Sequence, residues 1–254
     1  PPATGPASAA PGRDWARRGV LAAACVEAET RIAGAPTGGM DQAAALLPAA
    51  DCALLVDSSG GESELVPFDL DGAGLELLVI DTRAEHALVD GQYGQRRATC
   101  AAAAETLGLD DLGQLPISRL AEAIDRLGGP DQVAARRVRH VVTEIDRTRR
   151  FVTALRAGDL AGTGPLMDAS HASLRDDYQV SAPELDLAVA AAREAGALGA
   201  RMTGGGFGGS AIALLRQGQA GAVAAAVARA FARRTLKEPV FLLAEASSAG
   251  ERLT

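Results

Sequence analysis

Asp41 stands behind two glycines and a methionine in GAPTGGMDQAAALL, residues 34–47. An acid at the start of an alanine- and leucine-rich run meets free backbone N–H groups and the positive end of a helix. That placement gives Asp41 a structural reason to be there. It also suits a base, because a carboxylate within hydrogen-bond reach of a hydroxyl can take its proton. Gly38 and Gly39 have no side chains, so a ligand could pass close to their backbone. Residue type alone leaves both readings open.

A second stretch, MTGGGFGGSAIAL, runs from Met202 to Leu214. Gly204, Gly205, Gly206, Gly208 and Gly209 fill all but one of six positions, and Phe207 interrupts them. Glycine costs backbone entropy, so such a cluster needs a reason. One reason is a hairpin connection or a close strand contact. Another is a phosphate-proximal loop whose backbone N–H groups nest an anion. It is not a Walker loop, because no Lys-Ser/Thr pair follows and strands flank it.

Tyr93 lies between Gly91 and Gly94 at a loop–helix junction, where a phenol could line a sugar pocket or simply pack on the surface. Arg96 and Arg97 read as a solvated helix face. SHASLRDDYQVSAPELD, residues 170–186, carries His171, Arg175, Asp176, Asp177 and Tyr178. Adjacent carboxylates point apart on a regular element, so a structural hydrogen-bond network is expected there rather than a metal pair. His86, His140 and His171 lack metal-ligand spacing and read as structural or surface residues. No metal ligand is assigned.

These residues need elements to hold them. Apolar spacing predicts a helix from Asp14 to Ala33, stopped by Gly34 and Pro36, then a helix from Asp41 to Leu47. Strand-like runs follow at Cys52–Asp57, Ser63–Phe68 and Leu75–Asp81, suggesting an antiparallel meander. Helices are expected at Tyr93–Leu107, Ile117–Leu127, Gln132–Ala157, Asp159–Ser173 and Pro183–Ala195. Strands at Ala200–Met202 and Ser210–Leu215 enclose the glycine loop. A helix near Gln219–Thr235 and a strand at Pro239–Ala246 close an α+β layer structure. The change in element type puts a domain boundary within residues 82–95. PPATGPASAAPG, at the start, has no periodicity and reads as disordered linker or a truncation boundary.

The chain has 254 residues, long enough for one large domain or two small ones. With 48% hydrophobic and 22% charged residues it is globular, and with only 3% aromatics its core must be Ala, Val and Leu. A net charge of -7 without a basic, aromatic-interleaved block argues against nucleic acid. Cys25, Cys52 and Cys100 are scattered and odd in number, which fits a reducing cytosol better than a disulfide framework. No apolar run approaches a transmembrane span, so no membrane partner is expected.

APTGGMDQ, QYGQRRATC, SHASLRDDYQVSAPELD and ARMTGGGFGGSAIAL occur in this order, and together the set resembles galactokinases of the GHMP kinase superfamily. The resemblance covers about Leu21 to Ala244, and the Ala/Arg-rich style looks actinobacterial. It implies a two-layer GHMP kinase fold: the remnant of an S5-like amino-terminal domain at residues 14–85, then a ferredoxin-like carboxy-terminal domain at 86–254, with residues 1–13 outside the family pattern. It implies transfer of the ATP γ-phosphoryl group to the anomeric hydroxyl of α-D-galactose with Mg²⁺. Asp41 matches the family's catalytic aspartate. Gly38 matches a backbone sugar contact, Gly39 lies beside it, and Tyr93 matches a sugar-contacting tyrosine. The Gly204–Gly209 loop matches the motif near the phosphates. The expected setting is a cytosolic monomer.

Two further family motifs are absent: an Arg- and Glu-His-x-Asp-containing sugar segment, and a GLSSSAA-like loop that cradles the triphosphate. The expectation is therefore a carboxy-terminal fragment, about two-thirds of a galactokinase, with little activity alone. Another GHMP sugar kinase acting on N-acetylgalactosamine, a non-catalytic galactose/ATP sensor and a degenerate remnant are the alternatives.

Overall fold

A computed structural model describes residues 13–34, 37–57, 63–84 and 92–250. The chain divides into two compact units, one comprising residues 1–68 with 246–254 and the other residues 69–245. The sequence-based boundary at 82–95 rested on a change of element type. The compact units part earlier, after Phe68.

In the first unit, α1 (Arg13–Arg31) and α2 (Met40–Leu46) accompany a two-stranded antiparallel sheet of β1 (Cys52–Val56) and β2 (Ser63–Pro67). Phe68 N–H donates to the Asp51 carbonyl at 2.7 Å and closes the open end of the hairpin. Among the described residues, Val20, Leu21, Ile32 and Met40 remain exposed large hydrophobics in this unit.

The expected meander of three strands does not form. The third run, β3 (Leu75–Asp81), belongs to the second unit, where a four-stranded antiparallel sheet has the order β4-β5-β3-β6. Its partners are β4 (Gly199–Met202), β5 (Ser210–Arg216) and β6 (Val240–Ala244). The reason lies in composition. Leu75, Leu78 and Ile80 are buried and Leu77 and Val79 are half-buried, which suits a central strand with β5 on one side and β6 on the other.

The helices of this unit are α3 (Gln92–Leu107), α4 (Leu120–Arg126), α5 (Val133–Arg156), α6 (Gly164–Ser173), α7 (Pro183–Glu194) and α8 (Ala220–Arg233). Two expected helices begin later than the sequence suggested, because their first residues form 3₁₀ turns at Ile117–Arg119 and Ala161–Thr163. Taken as β3-α7-β4-β5-α8-β6, the sheet has β3 between β5 and β6, which α8 connects. That is a split βαβ, the ferredoxin-like arrangement.

Its core follows the strand period of two. Ala213 of β5 pairs with Ala200 and Leu78, and Ala211 pairs with Met202 and Ile80. These buried rows cluster with Leu185, Ala188 and Ala192 of α7 and with Val223, Val227 and Phe231 of α8. Small side chains do here what aromatics do elsewhere, by letting the layers come close. A second buried cluster joins Ala103, Ala104 and Leu107 of α3 to Ala123 of α4 and to Val138 and Val142 of α5.

β4 ends the sheet, and α6 covers it. Ala200 N–H donates to Asp168 Oδ1 at 2.9 Å, and Met202 N–H donates to His171 Nδ1 at 3.2 Å. Acceptors three apart on a helix thus meet donors two apart on a strand, which protects an exposed strand edge. His171 Nε2 lies 3.1 Å from Asp186 Oδ1, which fixes the ring, so the structural reading of His171 holds.

Candidate active site

The stretches singled out by residue type lie in different units. In the first, Gly39 is the N-cap of α2 with φ 78° and ψ 3°, and its N–H donates to Thr37 Oγ1 at 3.2 Å. A Cβ at Gly39 would sit 3.1 Å from Val26 Cγ2 on α1. Backbone conformation and packing therefore account for Gly39. They do not account for Gly38, which is exposed and has nothing within 4 Å of its would-be Cβ. The helix begins one residue ahead of the acid, at Met40, and Asp41 is exposed in its first turn. Gln42 donates to Glu29 of α1, and Ala43 and Leu47 are buried. These contacts hold a seven-residue helix that would be marginal alone.

In the second unit, Thr203 N–H donates to the Ser210 carbonyl at 2.9 Å and closes the β4–β5 hairpin. Between them, Gly204 (φ 77°), Gly206 (86°), Phe207 (60°), Gly208 (142°) and Gly209 (83°) have positive φ. A residue with a Cβ pays roughly 1–2 kcal/mol for each left-handed position, which explains the glycine cluster. The inner side of the loop is anchored. Phe207 N–H donates to the Val180 carbonyl at 2.7 Å, and Gly209 O accepts from Thr82 N (3.1 Å) and Oγ1 (2.6 Å). Gly204 and Gly205 are exposed, with nothing within 4 Å of a would-be Cβ. Such a turn leaves an outer backbone face that an anion can approach.

Behind the loop, α6 runs into a π-helical turn, Leu174–Tyr178, that ends on left-handed Gln179 (φ 57°). Arginines meet its carbonyls. Arg137, only 4% exposed, donates to Asp177 O and, at 2.9 Å, to Gln179 Oε1. Arg96 donates to Tyr178 O at 3.4 Å and to Gln179 O at 2.9 Å, and lies 5.4 Å from the Phe207 ring centroid. Arg96 is thus not the solvated residue its sequence neighbourhood suggested. Arg97 is exposed, as expected.

The expected network of residues 170–186 is present. Arg139 Nε lies 3.0 Å from Asp177 Oδ1, and Arg175 Nε lies 2.8 Å from Asp176 Oδ1. Among the described residues, no group of three or more His, Cys, Asp or Glu side chains could hold a metal ion. The backbone of Tyr93 is the second residue of α3. Its side chain, and His86, lie outside the described residues.

His140 is buried, with Nδ1 2.9 Å from Ser173 Oγ and its ring stacked 4.3 Å from Tyr178. Burial, more than the nearby Arg147, Arg201 and Arg137, pushes its pKa down to about 4, against the pull of Asp177. An unfolded chain binds the proton below about 6.5, while the folded one refuses it. Stability is therefore complete above that value and falls as pH drops toward 4. Between pH 7.5 and 4.5 the loss from this group should be about 2–3 kcal/mol. Urea titrations at the two pH values would read it as the difference between the native chain and His140→Gln. An identical pH dependence in both would remove His140 as the cause.

Residues 151–233 match the family model for the GHMP kinases C-terminal region. The chain is 47% identical to the galactokinase of Streptomyces coelicolor over 233 residues, 92% of this chain and 60% of that protein. It is 43% identical to the Mycobacterium tuberculosis galactokinase over 212 residues, 84% of this chain and 58% of that one. The crystal structure of Lactococcus lactis galactokinase complexed with galactose superposes with a TM-score of 0.86 at 32% identity, over 93% of this chain and 61% of that one. A homoserine kinase from Cytophaga hutchinsonii shares the fold, with a TM-score of 0.54 at 18% identity. The chain spans about three-fifths of the length of the curated relatives it matches.

Proposed function

We propose that this chain, which is 47% identical to a galactokinase over 92% of its length and whose residues 151–233 match the family model for the GHMP kinases C-terminal region, is the larger part of an enzyme that phosphorylates galactose at the expense of ATP. The observation that carries the proposal is 47% identity sustained over 92% of the chain, a span that reaches both units.

In this reading Asp41 takes the proton of the anomeric hydroxyl, and the open backbone at Gly38 accommodates the sugar. The outer face of the Gly204–Gly209 loop, where Gly204 and Gly205 are exposed, approaches the phosphates. Phosphoryl transfer asks a protein chiefly to align the nucleophile and to stabilise developing charge. A carboxylate in the first turn of a helix and a rigid turn of left-handed residues fit those two tasks. ATP fits the open loop. Mg²⁺ does not find a protein cage among the described residues. Its proposed route is on the nucleotide's own phosphates, the usual mode for this ion. No helix of the described residues is long and apolar enough to cross a membrane. A cytosolic monomer is the proposed setting.

The test is a galactose-dependent ATP turnover assay on this chain extended to the length of its relatives, with N-acetylgalactosamine in parallel. Turnover with galactose supports the proposal. Binding of both ligands in calorimetry without turnover would make the protein a sensor instead. In the same extended chain, Tyr93→Phe should raise the galactose KM by about tenfold, the value of roughly one net hydrogen bond, and leave kcat within about twofold. An unchanged KM would leave Tyr93 a packing residue.

A further inference from the structure

Four consecutive carbonyls, those of residues 177–180, each accept from a group outside their own segment. Asp177 O takes Arg137, Tyr178 O and Gln179 O take Arg96, and Val180 O takes the Phe207 amide of the glycine loop. A left-handed residue sits on each side of the contact, Gln179 at φ 57° and Phe207 at φ 60°. Clearance at the contact is minimal. A Cβ on Gly206 would lie 2.2 Å from Val180 O and 2.9 Å from Val180 Cβ. Gly206 and Phe207 are therefore seated on Val180, directly after the π-helical turn, while Gly209 is held separately by Thr82.

Helix ends leave carbonyls without intrahelical donors. Here the carbonyls of residues 177–179 are met by guanidinium groups carried on other helices, Arg96 on α3 and Arg137 on α5, and the next carbonyl, Val180 O, takes the loop's Phe207 amide. Arg137 also lies 5.8 Å from the centroid of the Tyr178 ring. Arg96 touches both partners of the contact, through the two carbonyls and through the Phe207 ring, 5.4 Å from its centroid. A planar fork can serve two adjacent carbonyls and a ring face together, which an ammonium cannot.

We propose that Arg96, backed by Arg137, is a positioning residue for the glycine loop: it holds the 177–180 carbonyls in the place that seats Gly206 and Phe207, and so sets the affinity of the loop's outer face for nucleotide phosphate. This rests on the phosphate reading of the loop given above. Arg96 does not itself touch the nucleotide. The brace acts on the ground-state fit of the loop, so it governs nucleotide affinity rather than the chemical step.

The experiment has two readouts. Hydrogen exchange of the Phe207 amide is followed in this chain and in Arg96→Gln, with the paired amides of β3 as an internal control for folding. Steady-state kinetics for ATP and for galactose are measured in the extended chain with the same change and with Arg96→Lys. The expected result is at least tenfold faster exchange at Phe207 with β3 unchanged. The ATP KM should rise about tenfold, with galactose KM and kcat within about twofold. Arg96→Lys should recover only part of the protection and of the ATP KM, since it can reach one carbonyl. Unchanged exchange at Phe207 would overturn the brace. Faster exchange with an unchanged ATP KM would overturn the link to nucleotide, and would count against the phosphate reading of the loop rather than against the seat. Faster exchange at β3 as well would overturn the positioning role in favour of a general structural one.

Discussion

Asp41→Asn, in a chain extended to the length of its galactokinase relatives, should cut kcat for galactose phosphorylation by about 10²–10⁴-fold, the range that a positioned general base contributes. The galactose KM should stay within about threefold. The amide keeps the volume and most of the hydrogen-bonding shape of the acid, but it cannot accept the hydroxyl proton. An interaction needed only as the proton leaves shows up in kcat and kcat/KM together, not in KM alone. The exposed position of Asp41 in the first turn of α2 means that the change should cost the fold little. At most the favourable interaction with the helix N-terminus is lost, roughly 0.3–1 kcal/mol. Thermal unfolding and single-turnover kinetics on the same preparation separate the two effects. If turnover survives, Asp41 is a helix-start residue and the base lies elsewhere.

Much of this was legible in the chain. The strand at Leu75–Asp81 and the helix at Pro183–Glu194 announce themselves through apolar runs and punctuation, to within a residue of where they stand. The glycine loop was equally plain, because so dense a run of glycine between two strands marks backbone that a Cβ would strain. What the chain did not announce was partnership. β3 looks like the third member of a local meander, and only pairing with β5 and β6, more than a hundred residues away, shows otherwise. Arg96 looks solvated because its partners, the carbonyls of Tyr178 and Gln179, are 82 and 83 residues distant. Arg137 did leave a trace. With His140, Glu144 and Arg147 it forms a polar stripe at helical spacing along α5, beside the apolar stripe of Ala135, Val138 and Val142. A polar row of that kind on a helix with buried neighbours signals a buried network.

Gly199→Ala should be among the most damaging small changes in the second unit. A Cβ there would lie 2.3 Å from Gly164 O, 2.4 Å from Gly164 Cα and 2.6 Å from Gly164 C. Every obstacle is backbone, so no side chain can swing aside. Gly164 faces the same problem in return, since its own Cβ would lie 2.1 Å from Leu198 O. The pair lets α6 and β4 touch main chain to main chain. That approach is what brings Asp168 and His171 to the N–H groups of Ala200 and Met202. One methyl must therefore push the helix off the strand edge, loosening two hydrogen bonds as well as the packing. Overpacking costs about 1–3 kcal/mol and each orphaned buried amide about 1–3 more, so a loss of about 4 kcal/mol is expected. Gly204→Ala is the control. It has a left-handed φ of 77° but open space around it, so its cost should be only about 1–2 kcal/mol. Urea unfolding of both variants would rank them. If Gly199→Ala proves no worse than Gly204→Ala, α6 and β4 do not meet backbone to backbone, and the seating of His171 against the strand edge would have to be redrawn.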